Sequence, residues 1–168
     1  MKTLYLLRHA KSSWDDPSVP DHDRPLNERG RRAASAMAAQ VRERGIRPEV
    51  VLCSTARRAV ETLEAFSDMF AETADIQVER DLYLAGVGEL TDRVNELSAR
   101  VGSAMVIGHN PGMHDFAVAL SGGGVDLERL RSKFPTGALV VLEFDQEEWD
   151  LKPGTGRLQD FVLPRDFE

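Results

Sequence analysis

The sequence opens with a short apolar run, Thr3–Leu7, that ends abruptly at Arg8 and His9. The run lacks the strict alternation of a half-exposed strand, and it predicts a strand buried on both faces, as in the centre of a parallel sheet. Ligands of open α/β sheets bind beyond the carboxyl ends of the strands. We therefore expect Arg8 and His9 to lie at a ligand-binding edge. A solvated histidine beside a surface arginine is the alternative if this segment is taken alone.

Further apolar runs alternate with segments of helical period along the chain. The predicted strands are 50–53, 76–78, 104–107 and 138–144. The predicted helices run from an Asn27 cap to Gly45, from a Ser54 or Thr55 cap through Phe70, from Gly86 or Gly88 through Leu97, and from Pro111 at the first helical position to Leu120. This alternation favours one domain over residues 1–168, a three-layer α/β sandwich with a mostly parallel central sheet.

The remaining segments carry weaker patterns. Residues 11–25 contain three prolines and no period, which predicts a long surface loop of the kind that is often functional. Gly122–Gly124 follows a helix and is interpreted as a flexible connection. Residues 149–151 are predicted to pair with the last strand as a hairpin, and the tail 153–168 to be irregular.

Composition limits the function classes. The net charge of −7 argues against nucleic-acid and anionic-membrane partners, because both require a broad basic face. The single cysteine, Cys53, excludes an internal disulfide, and no stretch reaches the roughly 18 apolar residues of a membrane span. We expect a cytoplasmic protein.

Charged side chains follow several predicted strands. Arg8 and His9 follow the first, Arg57 and Arg58 open the helix after the second, and His109 and Asn110 follow the fourth. In a parallel sheet these ends share one edge, where helix N-termini add amide donors. Arginines, imidazoles and free amides together suit a phosphate group, and a neutral histidine can attack phosphorus.

A metal site is the competing interpretation of the histidines. It requires nearby carboxylates, which the sequence offers in Asp21–His22–Asp23 and His114–Asp115. The first group lies in the loop without a partner at a regular spacing, and the second suits a solvated helix face. We therefore expect neither a metal nor a cofactor.

Four motifs, in order, resemble those of the histidine phosphatase superfamily, which has the phosphoglycerate mutase-like fold. Leu7–Ala10 resembles its Arg-His-Gly signature with alanine in place of glycine, and Leu26–Gly30 resembles its Leu-Thr-x-x-Gly helix opening. Ser54–Thr62 resembles its Ser-x-x-x-Arg-Ala-x-x-Thr helix, and Gly108–Asn110 its second histidine. The short chain and the Arg24–Leu26 segment are similar to the small SixA-type branch of phosphohistidine phosphatases.

The resemblance implies roles for individual residues. His9 would carry the phosphoryl group during turnover, and Arg8, Arg58 and His109 would bind the phosphoryl oxygens. Arg24 would add a further contact, and Lys11 and Ser12 either contact phosphate or belong to a solvated loop. Asp15 falls where larger relatives often have a phosphate-contacting asparagine, so we expect that contact to be lost. By the motif spacing Arg57 is a surface residue.

The general acid is not defined by the sequence. Larger relatives supply a glutamate that protonates the leaving alkoxide, whereas only Asp81 and Glu89 lie near the corresponding strand end here. An acid matters less for phosphohistidine, whose leaving nitrogen is a weaker base. The prediction is hydrolysis of a phosphate-bearing substrate, in particular phosphohistidine on a carrier protein.

Four other functions compete with this prediction. A cysteine phosphatase requires arginine six residues after its cysteine, but the residue six after Cys53 is Ala59. A phosphoglycerate mutase would normally carry an inserted segment with its acid. A general phosphomonoesterase of the same superfamily, or a non-catalytic phosphate- or phosphoprotein-binding module, remains an alternative.

Overall fold

A computed structural model of the chain describes residues 1–167 and shows one seven-stranded sheet with helices on both faces. The strand order is β3-β2-β4-β1-β6-β7-β5. The strands are β1 Lys2–Arg8, β2 Val50–Ser54, β3 Asp75–Glu79, β4 Ser103–Gly108, β5 Ser121–Gly124, β6 Leu139–Phe144 and β7 Gly156–Val162. The helices are α1 Glu28–Glu43, α2 Arg57–Glu64, α3 Ser67–Phe70, α4 Val87–Asn95, α5 Gly112–Leu120 and α6 Leu127–Ser132, with short 3-10 turns at Asp21–Asp23, Arg80–Leu82 and Pro164–Asp166.

Strand β1 occupies the middle of the sheet, as its apolar sequence predicts. It pairs in parallel with β4 and antiparallel with β6, and Leu4, Leu6 and Leu7 are fully buried. Strands β3, β2, β4 and β1 are mutually parallel, so their carboxyl ends meet at one edge. The predicted α/β class with a mostly parallel sheet is confirmed.

The two faces of β1 supply two separate hydrophobic cores. Leu4 and Leu6 pack with residues of α4, α5 and α6, whereas Leu7 packs with residues of α1, α2 and α3. Successive side chains of a strand point to opposite faces, so one short apolar run joins both layers. This arrangement is the predicted three-layer sandwich.

The expectations for the carboxyl-terminal third were partly wrong. Residues 156–162 form β7 rather than an irregular tail, and they pair with β6 in place of residues 149–151, which lie outside any strand. The exposed polar residues Arg157 and Gln159 alternate with the buried residues Gly156 and Leu158, so this polar stretch contains an amphipathic strand. Trp149 and Leu151 are buried in the core instead.

The glycine run is also a strand rather than a flexible connection. Ser121–Gly124 forms β5, which pairs in parallel with β7. A Cβ atom on Gly122 would meet the carbonyl oxygen of Gly154 at 2.0 Å, and one on Gly124 would meet that of Leu158 at 2.2 Å. Glycine is present here because the neighbouring backbone approaches closely.

The helices that follow the carboxyl ends of the strands begin within a few residues of their predicted starts. Asn27 caps α1 by accepting a hydrogen bond from the Gly30 amide at 2.7 Å, as predicted. Helix α2 begins at Arg57 with no side-chain cap, so the expected cap by Ser54 or Thr55 is wrong. Pro111 was expected at the first helical position of α5 but lies one position earlier, at the N-cap. Helix α6 was not predicted from the sequence. Within residues 1–167 no helix is long and apolar enough to cross a membrane.

Candidate active site

The carboxyl ends of β1, β2 and β4 open into one cleft of about 620 Å³. The residues that line it come from these strand ends, from the loop after β1, from the segment between β3 and α4, and from the segment between α6 and β6. They are Arg8, His9, Lys11, Ser12, Trp14, Asp21, Arg24, Arg58, Leu84, His109, Asn110, Lys133, Pro135 and Thr136. The structure thus brings together Arg8, His9, Arg58 and His109, which are distant in sequence.

His9 is held in a single tautomer at the end of β1. Its Nδ1 lies 2.7 Å from the carbonyl oxygen of Ala10, and because a carbonyl only accepts, Nδ1 carries the proton. Burial, together with the nearby His109, Arg58 and Arg8, lowers the pKa of His9 to about 3. The ring is therefore neutral at neutral pH, and Nε2 carries the lone pair that can attack phosphorus once it leaves its long contact with Arg58.

Arg58 contacts that lone pair directly. Its Nε donates toward His9 Nε2 at 3.4 Å, Nη1 donates to the Asp21 carbonyl at 2.7 Å, and Nη2 to the Asp21 carboxylate at 3.1 Å. Because a guanidinium has five N–H donors, two remain for a phosphoryl group. The Thr62 hydroxyl bonds to the Arg58 carbonyl at 2.7 Å and to the Ala10 amide at 3.0 Å, which fixes α2 against the end of β1.

Arg8 supplies a second guanidinium. Its Nη1 donates to the Phe134 carbonyl at 3.1 Å, whereas its buried Nε has no partner among residues 1–167. Burial, with the repulsion of Arg58, lowers the pKa of Arg8. A buried donor without a partner is costly, and an anion in the cleft would satisfy it.

His109 lies beside His9, with ring centroids 5.1 Å apart. Its Nε2 lies 2.7 Å from Ser54 Oγ, and its buried Nδ1 has no partner among the described residues. Burial and the charge of Arg58 lower the pKa of His109 to about 3, so this ring is also neutral. If the Ser54 hydroxyl donates to Nε2, then Nδ1 carries the proton and can donate to a phosphoryl oxygen.

Asp21, which the sequence placed in a weak metal candidate, instead joins the arginines. Its carboxylate accepts hydrogen bonds from Arg24 at 3.0 and 3.1 Å, from Arg58 at 3.1 Å, and from the Tyr83 hydroxyl. The Tyr83 hydroxyl, with help from Arg24 and Arg58, lowers the pKa of Asp21 to about 2. Asp21 is therefore ionised and orients both guanidinium groups.

The other substrate-binding candidates also line the cleft. Arg24 is buried, donates to Ser12 Oγ at 2.6 Å, and stacks 3.5 Å above the Trp14 ring. Lys11 is exposed at the rim. Arg57 pairs with Glu61 at 3.1 Å and does not line the cleft, and Asp15 is exposed outside it.

The two candidate acids lie elsewhere. Neither Asp81 nor Glu89 lines the cleft, and both are exposed. The Glu89 carboxylate accepts a hydrogen bond from the Gly86 amide at 3.2 Å, which caps α4. Asp21 is the one carboxylate among the described cleft-lining residues.

We next consider the two competing interpretations, a cysteine nucleophile and a metal site, within residues 1–167. Cys53 is fully buried in β2, and burial raises the pKa of its thiol to about 12, so a thiolate is not available. No group of three or more His, Cys, Asp or Glu side chains in the described residues is placed to hold a metal ion. His22 bonds to Thr55 at 2.8 Å, and His114 to the Leu130 carbonyl at 2.6 Å.

Sequence reasoning missed several residues of the site. Ser54 follows the predicted second strand directly, so its place at this edge was expected, but its bond to His109 was not. Tyr83 was not singled out, although it bonds to Asp21. Lys133 and Thr136 reach the cleft from the segment before β6, which carried no strand-end signal.

Comparison with known proteins defines the class to which this fold and site belong. The family model of the histidine phosphatase superfamily (branch 1) matches residues 4–107. The chain belongs to this superfamily.

Several similar proteins match nearly the whole of this chain. The chain is 36% identical over 166 residues to Mycobacterium tuberculosis "Uncharacterized protein Rv1276c", covering 95% of this chain and 100% of that protein. It is 34% identical to Arabidopsis thaliana "Uncharacterized protein At3g52155, chloroplastic", covering 97% and 78%. The crystal structure titled "putative phosphohistidine phosphatase SixA" from Agrobacterium tumefaciens has a TM-score of 0.82 and 35% identity, covering 97% and 98%. A SixA complexed with tungstate shares the fold, with a TM-score of 0.79 at 23% identity.

Proposed function

We propose that this protein is a metal-independent phosphatase that removes phosphoryl groups from phosphohistidine in a protein. Nε2 of His9 attacks phosphorus, the bond from phosphorus to the substrate nitrogen breaks, and that nitrogen leaves with the bonding electron pair. Water then attacks the phosphorus on His9, Nε2 regains its lone pair, and inorganic phosphate departs. Arg8, Arg58 and His109 stabilise the charge on the phosphoryl oxygens in both steps.

The charge of Asp21 is the observation that favours phosphohistidine over an alkyl phosphate as the substrate. An alkyl phosphate requires a proton donor, because an alkoxide is a very poor leaving group. The one carboxylate among the described cleft residues has a pKa of about 2 and is ionised at neutral pH. An imidazole leaving group requires far less protonation, so this cleft suits a P–N bond better than an alkyl ester.

The cleft rim supports a macromolecular substrate. The Trp14 side chain is 74% exposed and Leu84 is 54% exposed, and both line the cleft. Exposed large apolar side chains beside a reactive site are typical of contacts with another protein. The similarity to the SixA structure from Agrobacterium tumefaciens supports this choice.

Two phosphoryl donors distinguish the proposal from a general phosphomonoesterase. Phosphate release is measured from a phosphohistidine peptide and from a hexose phosphate, in EDTA, for the wild type, Asp81→Asn and Glu89→Gln. We expect kcat/KM for the peptide to be at least a hundredfold higher than for the hexose phosphate. Neither EDTA nor either substitution should lower the turnover of the peptide.

Comparable turnover of the two substrates would contradict the proposal. A loss of hexose phosphate turnover confined to Asp81→Asn or Glu89→Gln would identify a general acid and a general phosphomonoesterase. Phosphate binding without turnover of either substrate would indicate a binding module.

A further inference from the structure

A second, smaller cavity of about 230 Å³ adjoins the active-site cleft. Lys11, Lys133, Pro135 and Thr136 line both cavities, so the two are continuous. The remaining walls come from α1 and from the turn after β7. They are Arg29, Ala33, Leu163, Pro164 and Arg165.

The charged residues of this second cavity are all cations. Lys11, Arg29, Lys133 and Arg165 are exposed, and within residues 1–167 none of them forms an ion pair or a side-chain hydrogen bond. Nearby surface arginines differ, since Arg32 pairs with Glu28 at 3.2 Å and Arg129 with Asp126 at 3.6 Å. In a chain of net charge −7, four cations gathered without carboxylates form a local basic surface.

We propose that this basic cavity binds acidic side chains next to the phosphohistidine of the substrate protein. The inference rests on the proposed function and deepens it, because it assigns the chemistry by which a protein substrate is recognised. Carboxylates on the bound segment would pair with Arg29, Lys133 and Arg165 while the phosphoryl group reaches His9.

The form of the cavity favours a protein segment over a small second anion. A site for a free anion holds it with buried donors of fixed geometry, whereas these four cations are exposed ends of long, flexible side chains. Between them lie the buried apolar residues Ala33, Leu163 and Pro164. An apolar floor with a charged, solvated rim is the usual anatomy of a protein–protein contact.

Charge complementarity would also orient the partner. An acidic protein is repelled by the rest of a surface with net charge −7, so the basic cavity is the favourable place for its carboxylates. Attraction at this point steers the encounter and raises the association rate, and salt weakens it. The expected signature is a salt-sensitive kcat/KM for acidic substrates only.

Two phosphohistidine peptides of equal length test the proposal, one flanked by glutamates and one by glutamines at the same positions. The full chain is compared with the double variant Arg29→Glu/Arg165→Glu, and an aryl phosphate reports catalysis without a flanking segment. Neither residue lines the active-site cleft. Arg32→Glu/Arg42→Glu changes the net charge equally on exposed positions of α1 outside the basic cavity.

We expect the wild type to favour the glutamate peptide in kcat/KM by about tenfold at low salt, and the preference to shrink at high salt. Arg29→Glu/Arg165→Glu removes the preference and leaves the glutamine peptide and the aryl phosphate unchanged, whereas Arg32→Glu/Arg42→Glu retains it. A circular dichroism melt verifies that both variants are folded.

Three outcomes would overturn the inference. They are equal turnover of the two peptides by the wild type, an equal loss in both double variants, and a tenfold preference for a small bisphosphate over the glutamate peptide that depends on Arg29 and Arg165. Turnover of the aryl phosphate without turnover of either peptide would instead refute the proposed function.

Discussion

The Nε of Arg58 lies 3.4 Å from Nε2 of His9, and its N–H points toward the ring nitrogen. Because a guanidinium can only donate, Nε2 is unprotonated, in agreement with the proton on Nδ1 that donates to Ala10. The same arginine therefore selects the Nδ1-protonated tautomer of His9. In the proposed mechanism this contact places Arg58 beside the nitrogen that attacks phosphorus.

The two buried histidines make stability depend on pH. The pKa of both His9 and His109 is lowered from 6.5 to about 3, so between these values the unfolded chain binds more protons than the folded one. Their contribution is complete above pH 6.5 and is lost as the pH falls toward 3. We expect the free energy of unfolding to fall below pH 6 by about 1.4 kcal/mol per pH unit for each histidine.

Urea unfolding at pH 7, 6 and 5 measures this dependence. The free energy of unfolding of His109→Gln should fall less steeply with decreasing pH than that of the wild type, by about 1.4 kcal/mol per pH unit. Identical slopes in the two proteins would contradict the lowered pKa of His109.

Ser54→Ala tests the support of the second histidine. The variant removes the 2.7 Å hydrogen bond to His109 Nε2 without filling or emptying much space. We expect kcat to fall about fivefold, the equivalent of roughly 1 kcal/mol, because the ring is less well held. Thr55→Ala is the matched control, since Thr55 bonds to His22 and not to His109. An equal fall in both variants would argue against the assigned role.

The Asp21→Asn variant tests two effects of the Asp21 charge. The charge orients Arg24 and Arg58, and it also repels phosphate from the cleft. The variant keeps the shape but loses the charge that holds Arg24 and Arg58. We expect kcat to fall and inhibition by inorganic phosphate to strengthen, both several-fold, because a negative charge leaves the cleft. Asp23→Asn, whose carboxylate contacts only His22 among the ion pairs of residues 1–167, should change neither quantity. Weaker phosphate inhibition in Asp21→Asn would contradict the prediction.

Gly30→Ala tests the packing of α1 against the loop after β1. A Cβ at Gly30 would meet the Lys11 carbonyl oxygen at 2.0 Å, so the loop that carries Lys11 and Ser12 must shift. We expect a destabilisation of about 1–3 kcal/mol and reduced activity.

Gly88→Ala is the opposite case. A Cβ at Gly88 in α4 meets nothing within 4 Å, so it should leave activity unchanged and stabilise the fold by up to about 1 kcal/mol. Thermal melts compare the two variants, and an unchanged melting temperature in Gly30→Ala would show that the loop accommodates the methyl group.

The central sheet and the positions of the proposed catalytic side chains were predictable because their signals are local. A buried run such as 3–7 is recognisable by its apolar sequence, and the polar residue after it must lie at the strand end. Three such ends at one parallel edge place Arg8, His9, Arg58 and His109 together without further information.

The parts that escaped prediction depend on tertiary contacts. Strand β7 has polar residues on its outward positions, and β5 is a glycine strand whose geometry is imposed by the backbone of Gly154 and Leu158. Asp21 lies in a loop without a period, and only its contacts with Arg24, Arg58 and Tyr83 reveal its position. Hydrogen-bond partners of this kind carry no spacing rule in the sequence.

The proposed role of His9 is tested by incubating the enzyme with radioactively labelled phosphoramidate and quenching the reaction rapidly without acid. We expect a transient phosphoryl label on His9, stable in base and lost in acid, that forms before phosphate is released and is absent in His9→Ala. Full turnover by His9→Ala, or a label located on any other residue, would contradict it.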